Sequence, residues 1–158
     1  MYNKILFVCT GNVCRSAMAE ALLKKMLAEA DIKDVQVWSR GTAGTKAFQI
    51  PPPVAALMEE EKVTMAKHVS KPLLGRDVLK ADLVLVMEEH HKERIKTFYP
   101  EVSGKTYILK EFVGAGHGDI EDPIGMEAED YTACKKEIKG YLEKLIKIIE
   151  QENRKGDK

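Results

Sequence analysis

The stretch FVCTGNVCRSAMAEALL, residues 7–23, passes from an apolar run through a turn into a helical pattern. Residues 5–8 are continuously apolar, Gly11 and Asn12 are turn formers, and Ala19, Leu22, Leu23, Met26, Leu27 and Ala30 recur at helical spacing. The segment therefore predicts a strand, a loop and a helix. In open parallel sheets ligands bind beyond the carboxyl ends of the strands. The first loop leading into a helix offers an anion free backbone N–H groups and the positive end of a dipole. Cys9 and Arg15 bracket that loop, with Cys14 and Ser16 beside them.

Outward from this unit the same alternation continues. A second strand is predicted over 35–39, and the turn-rich RGTAGTKAFQIPPP that follows ends in prolines suited to opening a helix over 54–61. ADLVLVM, residues 81–87, is continuously apolar, as a parallel strand covered on both faces requires. A helix over 88–98 and a fourth strand near 106–109 come next. The loop GAGHGDIEDPIG, residues 114–125, precedes a last helix on which Ile138, Tyr141, Leu142, Leu145, Ile148 and Ile149 form one apolar stripe. Strands alternating with helices predict a three-layer α/β domain with a parallel sheet. We expect one domain over 1–150 and a polar tail, QENRKGDK, that frays over 151–158.

A chain of 158 residues can bury a core without metals or disulfides as staples. Its 25 basic and 25 acidic residues balance, so no overall field draws in nucleic acid or an anionic membrane, and an anion site must be built locally. The N-terminal residues lack the pattern of a signal peptide, and no run of about 18 apolar residues appears. These features predict a soluble, cytoplasmic protein. Three cysteines point to reduced, reactive or buried thiols rather than a disulfide framework.

A thiol at a helix N-terminus beside a guanidinium is held toward its thiolate, the nucleophilic form. Cys9 occupies that position. Arg15, six residues on, folds back across the loop and presents a bidentate fork to two phosphate oxygens, which lysine could not match. Gly11 allows close backbone approach, Asn12 tolerates a left-handed conformation, and the Ser16 hydroxyl can steady the thiolate. Each has a plainer reading alone: an ordinary turn, a small buried hydrophobe, a solvated arginine. Together at this place they predict a phosphate-binding loop with a built-in nucleophile. A phosphocysteine pathway also needs a carboxylic acid on a mobile loop. Asp119, Glu121 and Asp122 are the candidates, and Asp122 stands before Pro123, which favours an extended backbone there.

VCTGNVCRS followed by AMAEALL resembles the signature V-C-x-G-N-x-C-R-S-P of the low-molecular-weight protein tyrosine phosphatases, with Ala17 where the family usually has proline. The segments ADLVLVM, LKEF and Asp122-Pro123 fall in family order, so the resemblance covers nearly the whole chain. It implies a flavodoxin-like sheet of four parallel strands in the order 2-1-3-4, with Cys9 as nucleophile, Arg15 as clamp and Asp122 as general acid and base. Thr10, Gly11, Asn12, Val13, Cys14 and Ser16 would form the phosphate-binding loop. WSRGT is similar to the family's S-A-G-T segment and HVSKPL to the segment whose histidine braces the loop, which makes Ser39 and His68 supports. Arg40 departs from the usual alanine. Cys14, five positions after Cys9, could capture an oxidised Cys9 as a disulfide, and the resemblance implies this reversible, protective role. Cys134 is expected in the core. No cofactor or metal is implied. The expected partners are a phosphorylated protein or peptide and phosphate or another oxyanion, bound by a monomer.

The two histidines of EEHHKER, residues 88–94, are adjacent rather than at the H-E-x-x-H spacing, which argues against zinc. GAGHGD does not open directly into a helix and reads as the hinge carrying Asp122 rather than a dinucleotide loop. Thioredoxin-coupled arsenate reductases share this loop but need further cysteines that are absent between Cys14 and Cys134. A silent phosphate-binding or redox-sensing module is disfavoured by Cys9, Arg15 and Asp122 together.

The substrate is read from the residue between the signature Asn and second Cys. In the family an aliphatic residue there accompanies phosphotyrosine and a threonine accompanies phosphoarginine. Val13 makes no hydrogen bond and favours packing on a flat ring. LKEFVGAGHGDIEDPIG nevertheless looks like the bacterial protein arginine phosphatase branch, and Ile124 and Gly125 stand where many tyrosine phosphatases carry aromatics. Phe48 and Tyr131 are the possible replacements for that aromatic wall. Phosphotyrosine is the expected substrate and phosphoarginine the alternative.

Overall fold

The computed structural model describes residues 1–157. The strands are β1 (Lys4–Cys9), β2 (Gln36–Gly41), β3 (Leu83–Val86) and β4 (Thr106–Ile108), in one parallel sheet of order β2-β1-β3-β4. The helices are α1 (Arg15–Glu29), α2 (Pro52–Glu60), α3 (Gly75–Lys80), α4 (Glu89–Phe98), α5 (Leu109–Phe112) and α6 (Ala128–Gly156), with a 3₁₀ turn at Pro100–Lys105. This is the three-layer α/β arrangement and strand order expected from the sequence.

The period of the strands builds the layers. Ile5, Phe7 and Cys9 of β1 with Leu83 and Leu85 of β3 point to one face, where α1, α2 and α6 supply Met18, Leu22, Met58, Ile138 and Leu142. Leu6, Val8, Val84 and Val86 point to the other, against Val78 of α3, Ile95 of α4 and Val102. All four residues of β3 are buried, as a continuous apolar run requires. α2 opens on Pro52, whose fixed φ suits a first turn. On α6, Ile138, Leu142, Leu145 and Ile149 are fully buried at helical spacing.

Two details depart from the sequence reading. The polar tail does not fray from residue 151: α6 runs to Gly156, and Asn153 Oδ1 accepts the Tyr2 N–H at 3.1 Å, tying the last turns to the chain start. The short helices α3 and α5 were not anticipated, because pieces of 6 and 4 residues are too brief to show a period.

The topology places the Cys9 loop where β1 and β2 end together. Cys9 is in register with Gly41. A Cβ on Gly41 would sit 2.5 Å from Thr10 O, so only glycine lets β2 end against the loop.

Candidate active site

The loop from Cys9 to Arg15 turns at Asn12, whose φ of 58° is the left-handed conformation asparagine tolerates. Gly11 has room for a Cβ within the protein, the nearest atoms being Val13 Cγ2 at 3.6 Å and Phe48 Cδ2 at 3.8 Å. Internal packing therefore does not demand glycine there, and close approach of an oxyanion is the remaining reason for it. Cys14 ends the loop as the residue before α1.

A chain of hydrogen bonds holds this loop and sets the direction of its protons. Asn12 Nδ2 donates to Ser16 Oγ at 2.9 Å and to Ser39 Oγ at 2.8 Å, using both its hydrogens. Ser39 passes its own proton to Glu20 Oε1 at 2.7 Å. Ser16 Oγ, which accepts from Asn12, is also hydrogen-bonded to Cys9 Sγ at 2.9 Å. Asn12 Oδ1 accepts the Lys71 N–H at 3.1 Å, His68 Nε2 donates to Asn12 O at 2.7 Å, and Ser70 Oγ donates to Gly11 O at 2.7 Å. Ser39 and His68 thus occupy the supporting positions expected of them. Ser70 and Glu20 were missed, since a serine and a helix glutamate carry no signal until the fold brings them to Gly11 and Ser39.

Arg15 is only 2% exposed. Its Nη1 donates to Ile120 O at 2.7 Å and pairs with Glu88 Oε1 at 2.8 Å, while Nη2 lies 3.4 Å from Asp122 Oδ2. Both Nη1 hydrogens are therefore consumed by the protein, and the Nε and Nη2 edge is what remains to grip an anion. A buried guanidinium needs this compensation, and Glu88 supplies it, a role the sequence reading did not assign to it. Asp122 is 38% exposed and turned toward Arg15. Ile120 N–H donates to Met87 O at 2.8 Å, pinning the Asp122 loop to the end of β3.

His91 was also missed as a support. Its Nδ1 accepts the Glu88 N–H at 3.1 Å, so Nε2 carries the proton and donates to Thr10 Oγ1 at 2.9 Å. The rings of His90 and His91 lie 4.1 Å apart, and one atom each from Glu88, His90 and His91 come within 4.8 Å of one another. Both ring nitrogens of His91 are already engaged, so the cluster serves the loop. Burial, then His90 and Arg15, lowers the His91 pKa from 6.5 to about 3. Between these values the unfolded chain binds a proton that the folded one refuses. Folding stability should accordingly rise with pH from about 3 to 6.5, by up to about 1.4 kcal/mol per pH unit, and contribute no slope above. Urea unfolding at pH 4.5 and 7 should show a difference about 2 kcal/mol smaller in His91→Gln than in the parent. Equal pH dependence of the two proteins would remove His91 as its source.

The other residues singled out from the sequence fall on definite sides. Arg40, in register with Val8, faces away from the loop and pairs through Nε with Asp77 at 3.2 Å. Cys14 and Cys134 are both buried, and the neighbouring Cys134 thiol followed by burial pushes the Cys14 thiol up. Tyr131 is 7% exposed and belongs to the buried cluster that also holds Cys9 and Cys14. Phe48, 45% exposed and against Gly11, is the aromatic at the loop.

A loop that wraps an oxyanion site around one cysteine and one arginine, at the end of the first strand of such a sheet, is the architecture of a cysteine-dependent phosphatase. Residues 4–155 match the low molecular weight phosphotyrosine protein phosphatase family, and the chain belongs to it. It is 37% identical to a protein-arginine-phosphatase of Bacillus subtilis, over 95% of this chain and 99% of that one. The fold superposes with TM-score 0.90 on the YwlE arginine phosphatase mutant with a phosphorylated active site serine, at 34% identity over 96% of this chain and 98% of that one. A low molecular weight protein tyrosine phosphatase from T. tengcongensis gives TM-score 0.85 at 37% identity, over 91% of this chain and 97% of that one. The protein is a phosphatase.

Proposed function

We propose that the protein hydrolyses phosphotyrosine in protein or peptide substrates through a phosphocysteine. Cys9 Sγ attacks phosphorus in line with the leaving oxygen. The N–H groups of the loop from Thr10 to Ser16 and the Nε and Nη2 edge of Arg15 hold the equatorial oxygens as charge redistributes. Asp122 protonates the leaving phenolate, then takes a proton from the water that cleaves the phosphorus–sulfur bond. Thiolate is regenerated, phosphate departs, and every group comes from one chain acting as a monomer. The phosphorylated nucleophile of the YwlE mutant supports a covalent route on this fold.

The observation that carries the substrate class is the wall of the cradle. Val13 and Phe48 flank Gly11, an apolar pair suited to the two edges of a phenyl ring. A guanidinium would leave donors unpaired against Val13, which rejects it by more than lost packing. One finding favours phosphoarginine as the second reading, the 37% identity to the Bacillus subtilis protein-arginine-phosphatase, although the T. tengcongensis tyrosine phosphatase is equally similar.

Initial rates on matched phosphotyrosine and phosphoarginine peptides, for the parent and for Val13→Thr, test this. The parent should favour phosphotyrosine, and Val13→Thr should shift the ratio of kcat/KM toward phosphoarginine by about tenfold or more. A parent that prefers phosphoarginine would overturn the reading. Cys14 is proposed to protect Cys9 by forming a disulfide with its sulfenic acid. Peroxide inactivation that dithiothreitol reverses in the parent, and fails to reverse in Cys14→Ser, is the matching result.

A further inference from the structure

Beside the Cys9 loop lies a second pocket, of about 220 Å³, lined by Thr42, Leu73, Arg94, Ile95, Phe98 and Tyr99. It is joined to the loop on two sides. The Thr42 N–H donates to Cys9 O and the Ala43 N–H to Thr10 O, each at 2.9 Å. On α4, Arg94 and Ile95 follow one turn after His91, which donates to Thr10 Oγ1 at 2.9 Å. The pocket therefore lies on the Thr10 side of the loop, next to the phosphate cradle.

Its chemistry is that of a carboxylate receiver. The Arg94 guanidinium lies over the Phe98 ring, 5.4 Å from its centroid, which orients the fork and limits its freedom. Arg15 and Arg40 each pair with a carboxylate, whereas Arg94 makes no ion pair among the described residues. The Thr42 hydroxyl is a further donor, and Leu73 and Tyr99 offer apolar surface for methylene groups. The volume is below the roughly 300 Å³ at which small-molecule clefts begin, a size for one side chain.

We propose that this pocket binds an aspartate or glutamate of the phosphorylated substrate close in sequence to the phosphorylated residue, which makes Arg94 a specificity-determining residue. This rests on the phosphatase reading, and the test separates the two. Phosphopeptides carrying glutamate or glutamine at each of the positions flanking the phosphorylated residue are compared by kcat/KM, with para-nitrophenyl phosphate as a substrate that cannot reach the pocket. At one position the glutamate peptide should be preferred by about fivefold, the preference shrinking as salt is added. Arg94→Gln should abolish that preference, Arg94→Glu should turn it toward a lysine peptide, and both should hydrolyse para-nitrophenyl phosphate as the parent does. Equal use of glutamate and glutamine peptides at every position, or a preference that survives in Arg94→Gln, would overturn the pocket assignment alone. A parent inactive on para-nitrophenyl phosphate and on all peptides would overturn the phosphatase reading with it.

Discussion

Replacing Cys9 with serine is expected to lower turnover by at least about 10⁴-fold while the protein remains folded. In the proposed mechanism the Cys9 thiolate attacks phosphorus, and a serine hydroxyl in its place is a far weaker nucleophile. Ser16 Oγ lies 2.9 Å from the sulfur and already accepts from Asn12 Nδ2. A neighbouring serine hydroxyl is too weak a base to activate an alcohol in that place. Any phosphoserine that formed would persist, since an alkoxide leaves far less readily than a thiolate. Mass spectrometry after incubation with substrate reads that trapped phosphate, and circular dichroism melts verify the fold. A Cys9→Ser protein that turns over within tenfold of the parent would remove Cys9 as nucleophile.

Arg15→Lys should cost about 10³-fold in kcat although the charge is kept. The guanidinium meets Ile120 O and Glu88 through Nη1 and faces Asp122 through Nη2, so its position is set on one side by the protein and its other edge is available to the phosphoryl oxygens. An ammonium has one centre and cannot serve both sides at once. Stability should fall too, by about 1–3 kcal/mol, because Ile120 O or Glu88 loses its partner in a buried place. Rates measured at saturating substrate separate the loss of transition-state contacts from weaker binding, with thermal melts alongside. A variant that raises KM and leaves kcat unchanged would mean that Arg15 only binds the ground state.

The catalytic constellation was legible in the chain because it is local. Cys9 to Ser16 lie on one loop, and their spacing alone places a sulfur, a turn and a guanidinium around one anion. The layer order was equally legible, since continuous apolar runs such as residues 83–86 and the stripe on the last helix carry their period in the sequence. The supports were not legible. Glu88 reaches Arg15 across 73 positions, Ser70 reaches Gly11 across 59, and His91 reaches Thr10 across 81, distances over which no pattern reports. Likewise Tyr131 and Phe48 were equal candidates for the pocket wall in the sequence, and only the fold sets Phe48 against Gly11. Local spacing by itself determined the loop that brings Cys9 and Arg15 together and the alternation of strands and helices, because those depend on neighbours in the chain. The tertiary structure alone decided which carboxylate neutralises Arg15, which histidine stays uncharged beneath Thr10 and which aromatic faces the cradle. Those depend on desolvation and on contacts between segments far apart in sequence, and only the packed fold brings them together.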